Sequence, residues 1–367
     1  MTNLKLATHK SQVDDTVFIL DLQLHSKINF TITSMKYILI ASTLFLIIAV
    51  SSCQGPSKDP AENEGDSSAT QKAVLPNNFN ADSAYMYIAK QVSFGPRVPN
   101  TEPHKKCGEW LETMLKKWAD TVIIQTFDAK NYKNEILKAK NLIGSFNPKS
   151  INRMVLCAHW DTRPQADQDL KDKTTPSDGA NDGASGVGVL LEMARQMHAN
   201  KPEMGIDIIF FDVEDGGSND SEIKDSWCLG SQYWAKHPHT TDYMAKNGIL
   251  LDMVGAKNAQ FAREEMSVRF DNELVGYVWR TAISMGYGSY FIEYNKAGIT
   301  DDHVYLSFYG NVPTIDIIDY SSETESGFGK YWHTHDDNMS VIDKQTLMAV
   351  GKTVLQVVRN KDANVVN

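Results

Sequence analysis

The chain has 367 residues, 42% of them hydrophobic, with 23 Gly and 12 Pro, an ordinary globular composition that excludes a fibrous or wholly disordered protein. Lys plus Arg number 36 against 46 Asp plus Glu, and the resulting net charge of −10 argues against a phosphate-backbone partner, so no nucleic-acid binding is expected. Four cysteines, none in a CxxC pair, are too few for a disulfide framework or a zinc ribbon.

Residues 1–34 carry no export logic of their own and precede a good initiator, Met35, so they read as an over-called start or an unstructured lead. Residues 35–52 carry a lysine and then an apolar run of about 14 residues, too short to span a bilayer comfortably, and read as a signal peptide. Ser51 and Ser52 stand directly before Cys53, a pattern similar to the lipobox of bacterial lipoproteins. That similarity implies cleavage before Cys53, lipidation of its thiol and a periplasmic protein anchored to a membrane. Residues 53–76 are rich in Ser, Pro, Asp and Glu and nearly free of large apolar side chains, which predicts a flexible tether. Residues 77–367 remain as a single folded domain, expected to act as a monomer.

Within that domain, helical periodicity appears at 82–92 and 107–118. Short apolar runs suited to buried strands follow at 121–127, 141–146, 154–159, 206–212, 249–254 and 312–318, with helical stretches at 187–198, 272–285 and 344–358. The alternation predicts an α/β fold: a three-layer α/β/α sandwich around a central mixed, mostly parallel sheet. In such folds ligands bind beyond the carboxyl ends of the strands, which is where the chemistry-bearing residues should be sought.

They are found there. His159 and Asp161 stand where the 154–159 strand ends, and Asp182 sits in the small-residue run Gly179-Ala180-Asn181-Asp182-Gly183-Ala184-Ser185-Gly186, just ahead of a helix. Glu214 and Asp215 are adjacent carboxylates after the 206–212 strand. Asp252 is a charge inside the apolar 249–254 run, and Thr300-Asp301-Asp302-His303 and Trp332-His333-Thr334 follow. Each alone has a bland explanation as a surface pair, a turn or a helix cap. Together, Asp182, Asp215 and His333 place two carboxylates and an imidazole at one rim, the donor set of a catalytic zinc with an open position. A buried acid such as Asp252 is costly unless paired or near a metal, so the same rim gives it a reason to exist. Side chains alternate along an extended strand end, which would send Glu214 and Asp215 in different directions.

In this order, HxD, GANDGASG, FDVED, LLDMVGA, TDDH and WHT, the chain resembles the zinc aminopeptidase-like superfamily and, within it, the animal-type glutaminyl cyclases; Phe94-Gly95-Pro96-Arg97-Val98-Pro99 adds to the likeness. The resemblance implies one zinc per chain, bound by Asp182, Asp215 and His333. It makes Glu214 the catalytic acid/base, Asp252 and Asp301 acidic residues acting beside it, and Trp332 an aromatic wall of the substrate pocket. Trp227 is a candidate second wall, and His159, a metal ligand in two-zinc peptidases, is expected on the substrate side here. The implied reaction is cyclisation of the N-terminal glutamine of peptides and proteins to pyroglutamate with release of ammonia. There are departures. Asp215 stands where animal cyclases have Glu, Cys157 has no partner for the animal disulfide, and an insertion at 216–226 has no assigned role. The alternative reading is a zinc aminopeptidase in which His159, Asp182, Asp215, Asp252 and His333 hold two metals.

Overall fold

The computed structural model describes residues 73–364 apart from 221, 322 and 323. The expected signal peptide and Cys53 lie outside the described residues. Strands β1 (Thr121–Lys130), β2 (Ile136–Phe146), β3 (Arg153–His159), β4 (Gly205–Phe211), β5 (Asn247–Asp252) and β8 (Thr314–Ile318) form one sheet in the order β1-β2-β4-β3-β5-β8. The β1/β2 and β2/β4 pairings are antiparallel, while β4/β3, β3/β5 and β5/β8 are parallel. The mixed, mostly parallel sheet expected from the alternation of elements is therefore present, with its antiparallel part confined to one edge.

Sheet alternation sorts the core into two unequal layers. Met154, Leu156, Ala158, Ile206, Ile208, Phe210, Ile249 and Leu251 face the larger cluster. That side is closed by α1 (Ala81–Val92), α2 (Glu102–Trp118), α3 (Ala184–Ala199), α5 (Glu265–Ser284) and α7 (Lys344–Asp362). Val155, Cys157, Ile209, Phe211 and Leu250 face a smaller cluster completed by Trp234 of α4 (Leu229–Lys236) and Leu306 of α6 (Asp302–Phe308). The helix α3 lies so close to the sheet that a Cβ on Gly186 would sit 2.1 Å from the Leu251 carbonyl oxygen, so the small residues of this stretch are a packing requirement.

The elements differ from expectation mainly at their ends. The α2 helix begins five residues before the expected start, because Thr101 caps it and a proline occupies its first turn, both ordinary helix-start features. The α5 helix begins at Glu265 and kinks at Asp271, whose φ of −151° is not helical. The short helices α4 and α6 and the small parallel pair β6 (Phe261–Glu264) and β7 (Phe291–Lys296) were not anticipated, being too short for a clear period.

Register places the site. His159 pairs with Phe211, the last residue of β4, and the pairing of Cys157 with Leu250 brings His159 level with Asp252, the last residue of β5. Three adjacent parallel strands therefore end at one rim.

Candidate metal centre and active site

The rim is built by backbone that leaves the strands abruptly. Val213, just past β4, has φ 56°, Met253, just past β5, has φ 49°, and His333 itself has φ 54°. Left-handed backbone at a β-branched valine and two other side-chain-bearing residues costs roughly 1–3 kcal/mol each and needs surrounding structure to enforce it. Part of that enforcement comes from Asp161, whose carboxylate accepts the backbone N–H groups of Glu214 at 3.0 Å and Asp215 at 3.3 Å. The divergence of these two acids was expected from alternation along an extended strand. It arises instead because the strand has ended at Phe211 and Asp161 catches both amides in the turn that follows.

The glycine-rich run is fixed from three sides. Gly183 has φ 92°, and a Cβ there would lie 2.7 Å from the Asp161 carbonyl oxygen, so glycine is required. The amides of Asn181 and Asp182 donate to the Asp337 carboxylate at 2.7 and 3.0 Å. The fully buried Arg97 donates to the carbonyls of Trp160 at 3.4 Å, Gly179 at 2.7 Å, and Asp178. The early motif around Pro96 thus reaches the site by carrying one guanidinium to the loop that presents Asp182.

Ligand atoms of Asp182, Asp215 and His333 lie within 4.8 Å of one another, and all three residues are buried. His333 Nε2 is 3.2 Å from Asp215 and 3.7 Å from Asp182, while its Nδ1 is 3.2 Å from Asp167. A carboxylate behind a ligating imidazole fixes the ring and points the other nitrogen at the metal position. Arg163 ties Asp167 at 2.6 Å and lies 3.6 Å from Asp215. The donor set and its backing fit a zinc ion. Burial opposes protonation of His333, while the charge of Asp215 and the contact with Asp167 raise its pKa to about 9.

A cavity of about 570 Å³ opens over this trio, lined by Glu214, Asp252 and Asp301 on the acidic side and by Trp227, Trp332 and Phe328 among the apolar residues. The Trp332 ring stacks on His333 at 3.7 Å between centroids, and Trp227 lies nearly parallel to the same imidazole at 6.3 Å. Burial pushes the Glu214 carboxyl well above the usual carboxylate range, against the pull of His159, and lifts Asp252 to about 7. Asp301 is raised for the same reason.

Residues 141–358, more than half of the chain, match the model of Peptidase family M28. The chain belongs to that family. Among solved structures, this M28 chain is 52% identical to a Zn-dependent exopeptidase from Parabacteroides distasonis, covering 78% of this chain and 100% of that one with a TM-score of 0.76. It is 50% identical to the glutaminyl cyclase of Tannerella forsythia, covering 77% and 99% of the two chains with a TM-score of 0.75. Among curated proteins it is 28% identical over 310 residues to the aminopeptidase YwaD of Bacillus subtilis, covering 81% of this chain and 60% of that relative's length.

Within the M28 frame one residue sits elsewhere than expected. His159 was placed on the substrate side, but it is only 1% exposed and is not among the cavity's walls. It lies beneath them, with Nε2 3.0 Å from Asp182 and 3.2 Å from Asp252, because it ends β3, the central strand of the three, and its ring turns toward the carboxylates on either side. His159, Asp182 and Asp252 form a second trio within ligand range, and Asp182 belongs to both.

The site also recruits residues that the motifs did not flag. Arg163, Asp167 and Asp337 contact the candidate trio or its loop and are not among the cavity's lining residues. Only Asp337 had a signal, as part of the WHTHDDN run. The 216–226 insertion, which had no assigned role, forms one wall of the cavity through Ser218, Asn219, Asp220, Ile223, Lys224 and Asp225. Its base is stapled: Trp227 Nε1 donates to the Ser218 carbonyl at 3.0 Å, and the Ser218 amide donates to Ser226 Oγ at 3.0 Å. Cys107, Cys157 and Cys228 are all free and buried, in keeping with the absence of the animal-type disulfide.

Proposed function

We propose that the protein cyclises the N-terminal glutamine of peptides and proteins to pyroglutamate, releasing ammonia, with one zinc per chain held by Asp182, Asp215 and His333. The observation that carries the reading is an aromatic-walled cavity directly over the donor trio, with the partly buried carboxyl group of Glu214 among its lining residues. Half-identity to a bacterial glutaminyl cyclase across nearly the whole of that protein supports it. Zinc, when bound, supplies Lewis acidity toward the glutamine side-chain amide oxygen.

The chain's own residues do the rest. Glu214 takes a proton from the substrate α-amine as its nitrogen bonds to the side-chain amide carbon, then gives a proton to the departing nitrogen as the carbon–nitrogen bond of the amide breaks. No water enters the balance: one C–N bond forms, one breaks, and ammonia leaves. Burial raises the Glu214 carboxyl well above the usual carboxylate range, the direction that suits a group which must both accept and return a proton. Asp252 and Asp301, also lifted by burial, line the cavity beside Glu214, where they can hydrogen-bond the substrate. Trp332, Phe328 and Trp227 enclose the glutamine and exclude water, which helps an intramolecular attack and would starve a hydrolysis.

The deciding experiment is incubation of purified protein with a Gln-initiated peptide followed by mass spectrometry. The expected product is the intact peptide lighter by one ammonia. Free glutamine with a peptide one residue shorter would instead establish the aminopeptidase reading that the second trio keeps open.

We further propose that the protein works as a monomer on the periplasmic side of a bacterial membrane, tethered through lipid on Cys53, a reading that rests on the amino-terminal sequence alone. Cys53→Ser is expected to move the protein from the membrane to the soluble fraction with unchanged activity, as checked by fractionation. An unchanged distribution would refute the anchor.

A further inference from the structure

Cys228 has no role in the chemistry above, yet it grips Glu214 from two directions. Its backbone N–H donates to the Glu214 carbonyl at 2.9 Å, and its thiol donates to Glu214 Oε1 at 3.3 Å. Among the described residues that thiol contact is the one hydrogen bond made to the Glu214 carboxylate, whose Oε2 faces His159 Nδ1 at 3.8 Å. The neighbouring amide of Leu229 donates to the Val213 carbonyl at 3.0 Å, so the turn carrying Glu214 is laced to the start of α4 along its length.

The backbone at this position does not favour cysteine. Cys228 is fully buried and adopts φ 58°, ψ 35°, left-handed backbone that glycine or asparagine enters at lower cost. Burial, reinforced by the Glu214 charge, pushes its thiol well above the ordinary range, so it stays protonated and acts as a donor. A buried thiol on strained backbone, with its hydrogen aimed at the acid that moves protons, is explained by what it touches.

We infer that Cys228 is a positioning residue for Glu214, its S–H holding one carboxylate oxygen and so fixing the carboxyl group in place at the cavity wall. The inference rests on the cyclase reading for its catalytic consequence, though not for the contact itself. A base that swings freely loses the alignment that proton transfer in a closed site requires.

Cys228→Ala and Cys228→Ser test it. The alanine variant is expected to lose on the order of 10-fold in kcat, with KM, zinc content and thermal midpoint close to the parent's. The serine variant, which restores a donor, should recover to within a few-fold of the parent. A parent-like kcat in Cys228→Ala overturns the proposal, as do equal losses in both variants with altered KM. The contact is also read without turnover. The S–H stretching band that disappears in the infrared spectrum of Cys228→Ala should move to higher frequency in Glu214→Leu, which removes the acceptor. A band that stays put overturns the proposal even if the enzyme cyclises glutamine. A parent protein that yields no cyclised peptide removes the cyclase reading, while the band still decides the contact.

Discussion

Asp215→Ala is expected to give a folded chain with neither zinc nor measurable turnover. Asp215 is 3% exposed, and its oxygen lies 3.2 Å from His333 Nε2, so the substitution deletes one of the three proposed protein donors. Two remaining ligands rarely hold zinc tightly. The fold should survive, because the Asp215 amide still reaches Asp161 and Arg163 keeps Asp167 at 2.6 Å when its neighbour is gone. Metal analysis of the purified protein checks it: one zinc per chain in the parent and close to none in the variant. A metal-replete Asp215→Ala would mean that the ligand set is wrong.

Glu214→Gln, one residue away, should behave in the opposite sense. The amide has nearly the shape of the carboxylate and can still accept from Cys228, and Glu214 is not among the donor trio, so zinc content should match the parent's. Turnover is expected to fall by about 10² to 10⁴, the usual worth of a general acid/base. Glutamine at this position cannot carry the proton between the two nitrogens, whereas substrate binding against Trp332 and Phe328 is untouched, so the loss should fall on kcat more than on KM. Should this variant come out metal-free while Asp215→Ala keeps its zinc, the two roles are reversed.

The contrast between these neighbours shows what could be read from residue order and what could not. The acids themselves were legible, since a charge pair closing an apolar strand has few structural uses. The reason that they part company was not, because it depends on Val213 adopting a backbone conformation that valine disfavours and on Asp161 arriving from another strand to bind both amides. The candidate trio could be assembled from motifs because Asp215 follows an apolar strand, Asp182 sits in a glycine-rich turn and His333 stands in the Trp332-His333-Thr334 run. His159 was harder to place. HxD at a strand end reads equally well as a wall or as a floor, and only the register of β3 between β4 and β5 puts it beneath the cavity. Arg163, Asp167 and Cys228 were silent because their importance lies in contacts between distant segments, such as Asp167 with His333, that no spacing rule encodes. The sheet was readable for a similar reason in reverse: buried strands announce themselves by continuous apolar runs, whereas α4 and α6 span 8 and 7 residues and offer too few turns to show a period.

The left-handed residues at the rim have a bearing on how such a protein would respond to selection for heat resistance. Val213, Met253 and His333 each occupy backbone that an unconstrained chain would leave, so the fold carries a standing penalty at two positions beside its most useful side chains and at one of those side chains itself. Glycine or asparagine at 213 or 253 would relieve part of that penalty, and a screen for thermal tolerance alone would collect those replacements early. Each would also loosen the turn that aims Glu214 or Asp252, so the hardier variants should be the slower ones. Directed evolution of this scaffold for durability should therefore spare 213, 253 and 333, and look for its gains on the far side of the sheet.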